Sequence, residues 1–88
     1  MTGHLEGDAV EMALEEEAIT RFYTVITRLP EQQRDILLRS MKGERVRDMA
    51  EKLGISENTV KTQKKRAYAF VREQLGDVWM VIVGLFFV

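Results

Sequence analysis

The chain has 88 residues, no cysteine and a formal net charge of −1, with 45 % hydrophobic and 31 % charged residues. That is one small domain, and it excludes a disulfide framework or a thiolate metal site. The near-zero total hides a polarity: residues 1–19 hold six acidic residues and no Lys or Arg, whereas residues 34–72 hold eleven cations against five anions.

A basic half points to a polyanionic partner. Charge alone fits equally well with a solvated surface balanced by an acidic helix.

Residues 1–8 read as a flexible start. Residues 1–17, MTGHLEGDAVEMALEEE, carry no cationic segment followed by an apolar core and are not expected to be a signal peptide. His4, the only histidine, reads as a disordered end residue or expression remnant rather than a ligand. Asp8 and Glu11 have the spacing of a capping box. Behind them Val10, Leu14, Ala18, Phe22, Val25 or Ile26, and Leu29 recur at helical period and predict a helix over about 9–28. Acidic side chains crowd its first turns, where the helix dipole favours them. The run Glu15-Glu16-Glu17 reads as solvated surface, since adjacent helical residues point in different directions.

Pro30 interrupts that helix and suits the first turn of the next. A second helix over roughly 30–41 directs Ile36, Leu37 and Met41 inward, and Gly43 permits the left-handed closure that ends it. A third, over about 46–53, has Val46, Met49, Ala50 and Leu53 as a narrow apolar stripe. Gly54 stops it, Ile55 anchors the turn, and Ser56 is a good N-cap for a fourth helix over about 57–75. There Val60, Ala67, Val71 and Leu75 face inward with Phe70 beside them. The expected fold is all-α, a four-to-five-helix domain over 9–75 containing a helix-turn-helix, with an apolar tail over 76–88.

Helix, glycine, apolar residue, N-cap, helix is the helix-turn-helix pattern. The second helix of that pattern presents its first turns to the DNA major groove. Here those turns carry Lys61, Lys65 and Arg66, suited to phosphates or guanine edges, and Asn58, Thr59, Thr62 and Gln63, which offer hydrogen bonds to bases. A three-helix packing unit with a solvated basic face is the bland alternative.

Two stretches carry a closer resemblance. LPEQQRDILL at 29–38 and VRDMAEKLGISENTVKTQKKRA at 46–67 resemble region four of bacterial sigma factors, most nearly the extracytoplasmic-function group. The resemblance covers roughly residues 20–75. It implies binding of the upstream, minus-thirty-five promoter element in double-stranded DNA, docking on the β flap of RNA polymerase core, possible capture by an anti-sigma factor, and a cytoplasmic location. Carried over by position, Ser56, Asn58, Thr59, Lys61, Thr62, Lys65 and Arg66 fall where family members touch DNA, with Arg39 and Arg45 placed against the adjacent backbone.

The chain departs from the pattern at three places. The segment between Pro30 and Gly43 is one residue short, which leaves the placement of Arg39 open. Arg45 stands where a Ser or Thr cap is usual. Lys64 replaces an apolar residue and is expected to lay its stem along the core. Nothing resembles the family's promoter-melting domain.

No cofactor, metal constellation, phosphate-cradling glycine loop or nucleophile–base pair is legible, so enzyme activity is not expected. Tyr68 and Trp79 read as packing residues. The tail VWMVIVGLFFV, 78–88, is too short to span a bilayer as a helix. It is expected to fold back on the N-terminal helix, with self-association or burial in a partner as the alternative. Two rival readings are a LuxR-type response-regulator output domain and a protein-interaction module acting through the tail.

Overall fold

The computed structural model describes the backbone of residues 2–86 and the side chains of residues 14–85. Five helices follow one another: α1 (Thr2–Ile26), α2 (Glu31–Met41), α3 (Val46–Leu53), α4 (Glu57–Leu75) and α5 (Val78–Phe86). No strand occurs among the described residues. The all-α fold expected from the periodicity is the observed one.

α4 is the element on which the others assemble: α1, α2, α3 and α5 all pack against it. The buried side chains form two clusters. The larger joins Ala18, Phe22, Val25 and Ile26 of α1, Leu29 of the following turn, Leu37 of α2, Ala67, Val71 and Leu75 of α4, and Ile82 of α5. The smaller, Ile36, Met49, Ala50 and Val60, lies where α2, α3 and α4 meet, with Val46, Leu53 and Ile55 packed around it. Among the described residues no charged or polar one is buried. Apolar burial is therefore the main force holding the helices together, at about 25 cal/mol per Å² removed from water.

Three boundaries differ from expectation. The α1 backbone is helical from Thr2 rather than from about residue 9, so Asp8 lies inside the helix and does not cap it, and the segment 1–8 is helical from its second residue. The side chains of His4, Asp8, Val10 and Glu11 lie outside the described residues. α1 also stops at Ile26. Arg28 N–H and Leu29 N–H then bond to the carbonyls of Val25 and Ile26, three residues back, at 3.0 and 3.1 Å. A proline disfavours helical geometry in the residue before it, and Pro30 follows directly. Pro30, with ψ at 147°, is the extended N-cap of α2 rather than its first residue.

Leu14 was expected inward and is 55 % exposed. It borders a shallow groove with Glu15, Met80, Val81, Gly84 and Leu85. The well-buried contacts of α1 begin one turn later, at Ala18.

The tail folds back as expected. Gly76, at φ 55° and ψ −123°, reverses the chain after α4. α5 then packs on both α1 and α4. Ile82 is fully buried, Trp79 meets Tyr68 edge to face at 6.1 Å, and Met80 and Leu85 face outward.

α5 therefore stabilises the fold through one face only. Ile82→Ala is expected to cost about 2–4 kcal/mol of unfolding free energy. Met80→Ala, 70 % exposed, should stay within about 0.5 kcal/mol. Urea unfolding of the two variants checks the contrast.

Candidate nucleic-acid interface

The corner between α3 and α4 is built from a short run of local choices. α3 closes on Gly54, which sits in the left-handed region at φ 67° and ψ 32°. Ile55 N–H reaches back to Ala50 carbonyl at 3.1 Å, the six-to-one bond of a Schellman closure. Ile55 packs on the smaller core cluster. Ser56 is extended, and its Oγ accepts from Thr59 N–H at 3.0 Å. The two hydroxyls of Ser56 and Thr59 also lie 2.8 Å apart. α4 thus starts with one of its orphan donors satisfied and with Val60 fixed in the core.

That anchoring decides what faces outward. Asn58, Lys61, Thr62, Lys65 and Arg66 are all exposed. At 3.6 residues per turn they occupy an arc of roughly 140° on α4. Val60, Ala67 and Val71 lie on the opposite side, fully buried. The structure brings these five expected contact residues onto one face.

Ser56 and Thr59 adjoin that face, with their side chains engaged in the cap. Arg45, exposed, is the extended N-cap of α3 and makes no side-chain capping bond, as its departure from Ser or Thr implies.

Gln63 was read as a base contact and points the other way. It is half-buried, and its Oε1 is enclosed without a hydrogen-bond partner among the described residues. Its position, three residues after Val60 and four before Ala67, places it on the flank of the inward face. Lys64 behaves as expected: half-buried, with Nζ 6.0 Å from the centroid of the Tyr68 ring. Burial raises the Tyr68 phenol above the usual tyrosine range.

Arg39 is held apart from the outward face of α4. Its Nε donates to Asp35 Oδ1 at 3.0 Å and its Nη1 to both Glu44 carboxylate oxygens at 3.3 Å. Lys52 Nζ approaches Glu44 Oε1 at 3.0 Å. Glu44 therefore bridges the end of α2 and the last turn of α3. Its part was not visible in the sequence. The Asp35–Arg39 pair was readable from its four-residue spacing.

Lys61, Lys65 and Arg66, by contrast, take part in no ion pair among the described residues. The cations of the α4 face are thus available to an external anion.

A family model for sigma-70, region 4 matches residues 19–71. The chain belongs to the sigma-70 region 4 family. Region 4 is a DNA-binding domain of transcription initiation, and the matched span runs from α1 through the first four turns of α4. Membership also decides against the LuxR-type alternative. No curated protein and no solved structure matches the chain. Among the described residues no cluster of His, Cys, Asp or Glu could hold a metal, and no helix is long and apolar enough to cross a membrane.

Two measurements check the local construction of this region. Ser56→Ala should cost about 0.5–2 kcal/mol in urea unfolding, the usual range for a lost N-cap. The second concerns Glu44. Hydrogen bonding from Lys52 comes first in lowering its carboxyl below the ordinary 4.5, with Arg39 adding to it against the cost of desolvation. A carboxyl depressed in the fold contributes stability above its unfolded value, and that contribution is lost as pH falls through the folded value. The urea midpoint should therefore drop on acidification below about pH 4.5, and Glu44→Gln should flatten part of that drop.

Proposed function

We propose that the region 4 domain reads the upstream, minus-thirty-five promoter element with the first turns of α4 in the major groove, while docking on the β flap of RNA polymerase core. The observation that carries the DNA half is the exposed arc of Asn58, Lys61, Thr62, Lys65 and Arg66, aimed by the Gly54 turn and the Ser56 cap.

The roles divide by chemistry. Lys61 and Arg66 are the principal readers of guanine edges or close phosphates. Asn58 and Thr62 offer hydrogen bonds to neighbouring base edges, and Lys65 neutralises backbone charge. Arg45, at the start of α3, lies on the helix that crosses the backbone in this kind of docking. Ser56 and Thr59 first shape the cap and meet the backbone from there. Arg39, tied to two carboxylates, is not assigned a direct contact. Docking on polymerase and a place in the cytoplasm are what membership in the region 4 family supports, and the motif at 46–67 supports the extracytoplasmic-function subgroup.

The test is anisotropy titration on a duplex selected from a randomised pool by the domain together with polymerase core. Lys61→Ala and Arg66→Ala should each weaken binding by about 1–3 kcal/mol. Arg21→Ala, on α1 and paired with Glu17 at 2.7 Å, should leave it unchanged. Equal affinity for all four proteins sinks the groove assignment. A parallel pull-down on the isolated flap tests the polymerase half separately.

A further inference from the structure

We propose that Glu44 is a specificity-determining residue of the DNA-binding face: its carboxylate withholds Arg39 and Lys52 from phosphate, which lowers the share of duplex attraction that comes from α2 and α3. The proposal rests on the DNA-binding reading above and concerns residues outside the recognition arc.

The backbone places this carboxylate. α2 closes on Gly43 at φ 88°, and Glu44 N–H bonds back to Arg39 carbonyl at 3.1 Å, the same six-to-one closure that ends α3. Main chain and side chain of Glu44 are thus both fastened to Arg39. The carboxylate is 17 % exposed and is shared by Arg39 from α2 and Lys52 from α3. Asp35 takes the remaining side of the Arg39 guanidinium. The four groups that neutralise one another here come from α2, the connection and α3.

In a docked helix-turn-helix the first helix of the motif, here α3, crosses the sugar-phosphate backbone. Cations on α2 and α3 then lie close to phosphates. Every phosphate they neutralise adds affinity for any sequence, since phosphate contact carries no base information. Specificity depends on keeping that sequence-independent part small relative to base contacts. The Glu44 cluster does this for Arg39 and Lys52 by internal pairing, while Lys61, Lys65 and Arg66 of α4 remain unpaired among the described residues.

The experiment measures binding of the full chain to a fixed mixed-sequence 30-base-pair duplex across a range of NaCl concentrations. Each newly engaged phosphate steepens the log K against log salt line by about 0.9. Glu44→Gln should steepen it by about 1–2 and tighten binding on the order of fivefold at 0.1 M salt. Asp35→Asn, which loosens Arg39 alone, should steepen it by about 0.5–1. The double variant Glu44→Gln/Arg39→Gln should return part of the Glu44→Gln change. Glu16→Gln, an exposed α1 residue of equal charge, should leave the slope unchanged.

A Glu44→Gln protein that keeps its helical circular dichroism and shows the wild-type slope overturns the proposal, as does a slope change matched by Glu16→Gln. If Glu44→Gln loses its helices, Asp35→Asn decides alone, an unchanged slope overturning the proposal. Failure of the wild-type chain to bind any duplex, even the selected one, overturns the DNA reading itself and the proposal with it.

Discussion

The structure turns on the corner between α3 and α4. A left-handed glycine, a backbone bond from Ile55 to Ala50 and a serine cap fix the direction of α4 within four residues. Val60, one turn into α4, is buried against Ile36, Met49 and Ala50. Because the helical period then allows no choice, burying Val60, Ala67 and Val71 obliges Asn58, Lys61, Thr62, Lys65 and Arg66 to face water. Without a fixed corner, the same cations would be a basic stripe with no defined aim.

Electrostatics divides the molecule differently from packing. Three cations outside the outer arc of α4 are paired: Arg21 with Glu17, Arg39 with Asp35 and Glu44, and Lys52 with Glu44. Those on the outer arc of α4 are not. The exposed Arg21–Glu17 pair is of the kind that contributes little to stability, about 0–1 kcal/mol. The more consequential effect of the pairings is on the field that a passing polyanion meets, in which Lys61, Lys65 and Arg66 stand unneutralised among the described residues although the whole chain is close to neutral.

Much of this was legible because it is local. The periodicity of Met49, Ala50 and Leu53, the glycines at 43 and 54 and the serine at 56 locate the motif, and the outward residues of α4 follow by counting. What was not legible depends on tertiary neighbours. The start of α1 was hidden because Gly3 and Gly7, each weakening a helix by about 1 kcal/mol relative to alanine, lie inside it. Leu14 fits the apolar period, yet the close packing of α1 begins only at Ala18. Arg39 was placed by position alone, and its pairing with a glutamate from beyond a left-handed turn needs the tertiary fold. Gln63 was misjudged because hydrogen-bonding capacity was weighed before helical angle.

The paired glycine closures of α2 and α3 have one more consequence. Each helix ends in a hydrogen-bonded corner rather than a slack connection, and α4 begins in another. A reader built this way has few backbone torsions left to freeze when it meets its duplex, so little of its contact energy is spent on ordering itself. Discrimination between base sequences then falls on the fit of side chains held on a hydrogen-bonded frame.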